Sequence, residues 1–187
     1  AGVTVNRIHS VDGHSFAQIK FDQVAVDNQQ IIGVPDRAWD TVAPILDRAT
    51  LALAAEMLGG ARELLERTLA YLNDREQFDV KIGSFQALQH RCAQLFCQLE
   101  LAQSVVYKGL SAIDQGQQDV AKLASHAKVL AIDCYQKMSN EAVQMHGGMG
   151  ITDEVDIGLF LKRSRVCNQM LGDSSFHRER FAKLCGY

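Results

Sequence analysis

The spacing of apolar positions changes near residue 35. Before it, Val3, Val5 and Ile8 sit in a β-rich run, Asp12-Gly13 signals a turn, and Ala17, Ile19 and Phe21 alternate with Gln18, Lys20 and Asp22. A period of two is that of a half-buried strand. Beyond Val34-Pro35 the period is helical. Trp39, Val42, Leu46, Ala49, Leu53, Met57, Gly60, Leu64 and Tyr71 recur at steps mainly of three and four, and Pro44 early in the run predicts a kink or a restart. A second stripe runs Phe85, Leu88, Cys92, Leu95, Leu99, Ala102, Val106, Leu110 and Ile113. A third runs Val120, Ala124, Ala127, Ala131, Cys134, Met138, Ala142 and Met145, with Asp133 and Lys137 spaced as an i,i+4 ion pair. The glycines of Gly147-Gly148-Met149-Gly150 must end it. Thr152 reads as the N-cap of a fourth helix reaching about Cys167, with Asp153 and Glu154 in its first turn. Asp173 reads as the cap of a short fifth helix that Gly186 ends.

Three long helices, a shorter fourth and short connections predict a mainly α chain, an antiparallel four-helix bundle over residues 36–187, preceded by a β-strand remnant over residues 1–35. A lone hairpin is marginal in water. Because the chain also starts mid-pattern without an initiator Met, residues 1–35 are expected to finish a β-domain that begins elsewhere. The segment Leu51–Ala55 is apolar nearly all round, which suits a helix buried on several sides. That segment and the third stripe exceed what one bundle interior needs, so oligomerisation is expected.

Composition narrows the function classes. A chain of 187 residues with 47% hydrophobic and 22% charged positions can bury a real core. A net charge of -3 from mixed signs leaves no basic footprint for nucleic acid. No apolar run approaches the roughly 20 residues of a membrane span, and the amino terminus lacks a signal pattern. Five cysteines at unrelated spacings, mostly within helical stripes, point to free thiols in a reducing, cytoplasmic setting. A di-iron bundle would need Glu-x-x-His pairs. Ala87, Leu123, Val143 and Ser174 stand three residues before His90, His126, His146 and His177 instead, so no metal is expected. The cluster Lys162, Arg163 and Arg165 is accounted for by the helix dipole.

Two segments carry candidate chemistry. Between the first two helices, Arg75-Glu76-Gln77-Phe78 and Ile82-Gly83-Ser84-Phe85-Gln86 place an arginine beside a helix start with free backbone N–H groups. Such a place suits an anion, phosphate above all, although a solvated loop has the same look. After the third helix, Gln144-Met145-His146-Gly147-Gly148-Met149-Gly150 is either a plain helix stop or a turn that offers backbone donors to a ligand. His146 is read as facing that ligand or as a hydrogen-bonded structural histidine.

These segments resemble the acyl-CoA dehydrogenase family. Arg-x-x-Phe followed by Ile-Gly-x-Phe-Gln-x-x-Gln-His is similar to that family's pattern between the first two helices of its carboxy-terminal domain. Gln-x-x-Gly-Gly-x-Gly is similar to the family's later turn. Gly172-Asp173 with His177-Arg178 resembles its closing segment more loosely. Phe21–Val26 and Gly33 resemble the exit strand from its middle β-domain. The resemblance implies an FAD-dependent enzyme that removes hydrogen across the α,β bond of an acyl-CoA thioester and passes electrons to an electron-transfer flavoprotein. It implies a homo- or hetero-tetramer. It assigns Arg75, Gln77, Phe78 and Gln86 to the FAD pyrophosphate and adenylate region, with Gln144, Gly147 and Gly148 reaching the same cofactor from a neighbouring subunit. Asp79 departs from the family's usual glycine after the Phe.

The resemblance also exposes a gap. α-Proton removal needs a base, suitably a carboxylate shielded from water. The family's two positions for that glutamate correspond here to Leu171 and Ala49, and neither can take a proton. Three readings follow: a partner subunit supplies the base, Asp173 serves instead of capping its helix, or the chain is a non-dehydrogenating relative. The first is preferred. The rival class is a helical accessory subunit that assembles a hetero-oligomeric acyl-CoA dehydrogenase without chemistry of its own.

Overall fold

The computed structural model describes residues 2–187. Its elements follow in the order β1 (Val3–His9), β2 (Ser15–Phe21), α1 (Ala38–Asp74), β3 (Glu76–Gln77), β4 (Val80–Lys81), α2 (Gln86–Asp114), α3 (Val120–His146), α4 (Ile157–Gln169) and α5 (Ser174–Leu184). The expected mainly α architecture is present. Helices α1 to α4 alternate in direction, as short connections between long amphipathic helices require.

Helix α3 is the hub, packing on α1, α2, α4 and α5. Its small residues explain this: Ala124, Ser125, Ala127, Ala131, Ser139 and Ala142 are buried and let neighbouring backbones come close. The core joins Leu51, Met57 and Leu64 of α1 to Leu95, Leu99 and Val106 of α2 and to Ile132, Tyr135 and Met138 of α3. Helix packing is close enough that a Cβ at Gly109 would lie 2.4 Å from the Leu51 side chain.

Several expectations are corrected. Pro44 neither ends nor restarts a helix: α1 runs unbroken from Ala38. The first stripe enters the core later than its spacing implies, since Trp39 and Val42 are exposed. The opening turns of α1 have the period, but among the described residues they border an open cavity and are not covered. Thr152 does not cap α4. Its hydroxyl donates to Met149 O at 2.9 Å, closing the 3₁₀ turn Gly147–Ile151, and α4 starts only at Ile157. Asp133 pairs not with Lys137 but with Arg178 of α5, at 2.6 Å. Strand β2 stops at Phe21, and residues 22–26 are irregular.

The hairpin β1–β2 pairs Val3 with Phe21 through His9 with Ser15. Both of its faces are exposed, so the alternation that suggests half-burial finds no covering layer within this chain. Its turn is tied to the bundle. Arg163 of α4 donates to Asp12 at 2.8 Å and to Glu56 of α1 at 2.7 Å. Burial alone would raise the Asp12 pKa, but hydrogen bonds from Ser10, Arg163 and the His14 N–H hold it well below the usual carboxylate range. Arg163 is therefore a tertiary clamp, where the dipole account of the Lys162–Arg165 cluster had sufficed.

Candidate functional site

Two regions stand out, one at each end of the bundle. The first gathers the end of α1, the β3–β4 loop, the start of α2 and the turn after α3. Tyr71, in the last turn of α1, stacks on His146, in the last turn of α3, with ring centroids 4.2 Å apart. The Tyr71 hydroxyl also donates to His146 O at 3.3 Å. His146 is buried and its Nδ1 lies 2.7 Å from Ala142 O, so it takes the structural one of its two expected roles. This contact brings the two motif segments, far apart in sequence, to one end of the molecule. Arg75 lies one turn beyond Tyr71, and Gly147 follows His146 directly.

The loop after α1 is a miniature hairpin, Glu76 facing Lys81 and Gln77 facing Val80. Its two turn residues, Phe78 and Asp79, have φ of 57° and 62°. A two-residue turn of this hand needs positive φ at both places, which glycine takes freely and aspartate tolerates. Asp79 thus preserves the turn. Phe78 is left 85% exposed, with its ring edge-on to Phe85 at 6.1 Å. Neighbouring ion pairs join Arg67 to Glu63 and Asp156, Lys81 to Glu76, and Arg91 to Glu141. Among the described residues they leave the exposed Arg75 guanidinium without an acidic partner. Gln77 Nε2 donates to Glu76 O at 2.8 Å. Gln86 opens α2 with an exposed side chain, where backbone N–H groups have no partner within the helix.

The glycines after α3 divide by role. Gly150 is structural, because a Cβ there would lie 2.7 Å from Val143 O. Gly147 has φ of 60°, which ends the helix. Among the described residues, neighbours in the chain aside, nothing lies within 4 Å of a would-be Cβ at Gly147 or Gly148. Both, like Gln144, face open space. The Gly147 N–H donates to Gln144 O, and the exposed backbone of Gly147 and Gly148 is open to the approach of an anion.

The second region is an apolar cavity of about 290 Å³ at the other end, bounded by Trp39, Leu46, Thr50, Leu171, Gly172 and Phe176. Leu171 occupies the corner between α4 and α5 with φ of 59°. Ala49 is half-buried on α1, one residue from the cavity-lining Thr50. Asp173 caps α5, its Oδ1 accepting from Phe176 N–H at 2.8 Å.

Sequence reasoning missed the polar groups Asp47, His177 and Arg180, which also line this cavity, and the buried Lys128. Asp47 is buried and pairs with Arg180 at 2.7 Å. Arg180 also donates to Ser125 Oγ at 3.0 Å, and Ser125 lies 3.3 Å from His177 Nδ1. Lys128, buried completely in α3, donates to Cys167 O at 2.5 Å and Met170 O at 2.8 Å. Burial pushes its pKa down to about 8. One signal was available: a lone lysine among Ala127, Val129 and Ala131, on a helix apolar on most sides, must find carbonyls inside.

Comparison with known proteins gives this geometry a family. Residues 37–185 match the model of the acyl-CoA dehydrogenase C-terminal domain. The acyl-CoA dehydrogenase IpdE2 of Mycolicibacterium smegmatis is 40% identical over 140 residues, covering 75% of this chain and 42% of that enzyme. A structure of glutaryl-coenzyme A dehydrogenase with glutaryl-CoA superposes with a TM-score of 0.93 at 25% identity, covering 100% of this chain and 48% of that one. A variant of the Tcur3481–Tcur3483 steroid ACAD gives a TM-score of 0.85 at 26% identity, covering 98% and 48%. The chain spans about half the length of the relatives it matches. With a bundle of this topology and a family match across four-fifths of its length, the chain belongs to the acyl-CoA dehydrogenase family and contains its carboxy-terminal helical domain.

Proposed function

We propose that this chain is the carboxy-terminal part of a flavin-dependent acyl-CoA dehydrogenase and that one end of its bundle contacts two FAD molecules, one through Arg75 and its neighbours and another, bound mainly by a neighbouring subunit, through Gly147-Gly148. The supporting observations, both at this end of the bundle, are an exposed guanidinium without an acidic partner and a glycine turn whose Cβ directions are open, among the described residues. The residues fit a dinucleotide. Arg75 offers a planar fork to phosphate oxygens, Gly147 and Gly148 leave the backbone open at Gly148, the Gly147 N–H being bonded to Gln144 O, and Gln77, Gln86 and Gln144 add amide donors. Phe78 presents an exposed ring for a flat heterocycle. The two segments act on separate cofactors, each completed by a neighbouring subunit. Bound FAD supplies the two-electron acceptor for the hydride from the acyl β-carbon.

At the cavity end, the chain's own residues bind and exclude water but take no proton at positions 49 and 171. The Asp173 carboxylate is committed to its cap, and the cavity-lining Asp47 to its ion pair with Arg180. A base supplied by a different subunit therefore accounts best for a dehydrogenase built with this chain. The relative named for two components, Tcur3481 and Tcur3483, is a precedent for such assembly and for a steroid-derived substrate. Residues 1–35 on this reading complete a middle β-domain, which would cover the exposed hairpin faces, and the assembly is a tetramer that passes electrons to an electron-transfer flavoprotein. The accessory-subunit reading differs in binding no flavin.

The test uses the full-length protein, alone and mixed with candidate partner subunits, and follows flavin absorbance on adding acyl-CoA esters of different chain and ring size. Bleaching only in the mixture is the expected result. Full activity of the pure homo-oligomer would reject the partner-supplied base, and colourless protein that still assembles would reject the flavin site.

A further inference from the structure

Leucine carries a steric cost in the left-handed region, so a leucine held there needs surroundings that fix it. Leu171 has φ of 59° and is followed by Gly172 at 105°. Two buried side chains from different helices grip this corner. Lys128 of α3 donates to the carbonyls of Cys167 and Met170, the last turn of α4, where a cation also suits the helix dipole. His177 of α5 is 1% exposed, and its Nε2 lies 3.0 Å from Leu171 O. A carbonyl only accepts, so Nε2 carries the proton and Nδ1 accepts from the Ser125 hydroxyl. That hydroxyl in turn accepts from Arg180. The direction of every bond in the chain is thereby set.

We propose that Lys128 and His177 are positioning residues that lock the α4–α5 corner and so fix where side chain 171 meets the cavity. Lys128 is not among the cavity-lining residues, and His177, which is, has both ring nitrogens engaged, at Leu171 O and at the Ser125 hydroxyl. Gly172 belongs to the same device. A Cβ there would lie 3.0 Å from His177 Nε2 and 2.4 Å from the Phe176 ring, so only glycine lets the histidine close on the corner. The device holds any side-chain-bearing residue at position 171 against the strain of its left-handed backbone and does not depend on the flavin site.

Hydrogen exchange of the peptide covering residues 168–174, read by mass spectrometry in the full-length protein, tests the assignment without cofactor or substrate. His177→Leu should speed exchange there about tenfold, equivalent to about 1.4 kcal/mol, while exchange within α2 stays as it was. His177→Gln, whose amide can both donate to Leu171 O and accept from Ser125, should restore the slow rate. In a Leu171→Gly background the corner has no side chain to hold against strain, and His177→Leu should have little effect. Lys128→Met should act as His177→Leu does. If it does not fold, the His177 series decides alone. Unchanged corner exchange in His177→Leu would overturn the proposal, as would equal acceleration in α2, or an undiminished tenfold effect in the Leu171→Gly background.

Discussion

Gly148 and Gly150 stand two residues apart in one 3₁₀ turn, yet alanine at the two positions should have opposite consequences. At Gly150 the new methyl would sit 2.7 Å from Val143 O and 3.0 Å from the His146 Cβ. The obstacle is backbone, so the turn itself must shift. Overpacking of this kind costs about 1–3 kcal/mol, or roughly 2–12 °C in Tm at the 2–4 °C per kcal/mol expected for a domain of this size. At Gly148 the methyl meets nothing within 4 Å. Folding should be untouched or slightly favoured, because alanine narrows the unfolded ensemble. The same methyl would keep a phosphate oxygen from the backbone N–H it shields. Losing one hydrogen bond to a charged group costs about 1.5–3 kcal/mol, a loss of roughly 10–150-fold in affinity. Thermal melts and FAD titrations of the apo full-length protein read the two effects separately. Gly148→Ala that binds FAD as tightly as its parent would refute the cofactor assignment of this turn, and a Gly148→Ala melt as low as that of Gly150→Ala would refute the division of roles.

Arg75→Gln should weaken FAD binding about 10–100-fold, as expected for losing a guanidinium–phosphate pair, and should leave the melt unchanged because the side chain is exposed. Asp79→Gly should raise stability by about 0.5 kcal/mol by relieving a left-handed aspartate, measured by urea unfolding. Arg163→Met should cost about 1–3 kcal/mol, below the range for fully buried pairs because the side chain is 20% exposed, and proteolysis within residues 3–21 should accelerate. Burial holds the His177 pKa below its ordinary 6.5, with its neutral form further favoured by the nearby Lys128 and Arg180 charges against a bond to Leu171 O and the Asp47 carboxylate. Its contribution to stability is therefore complete above pH 6.5 and is lost as the pH falls toward the depressed value, since the unfolded chain takes the proton first. The fall in Tm from pH 7 to pH 5 should be shallower in His177→Gln than in the parent.

What the sequence determined by itself is what local chemistry controls. The third helix could be read from Val120 to the glycine stop because every step of its stripe is short-range, and the same holds for the Asp173 cap, which needs only Phe176 N–H three residues on. The motif segments were legible as candidate phosphate contacts for the same reason, but their meeting was not. That rests on Tyr71 stacking on His146, a contact set by the relative lengths of three helices. Trp39 and Val42 show the converse: a faultless helical period that, among the described residues, nothing covers. Asp133 found Arg178 instead of Lys137, and Arg163 found Asp12 and Glu56, because charges on packed helices choose partners by space. Only the tertiary structure could place Lys128 under the α4–α5 corner and carry a hydrogen-bonded chain from Asp47 to Leu171. Periodicity encodes which face of a helix is buried. The register between helices, on which each of those bonds depends, is decided by how whole side-chain surfaces interlock.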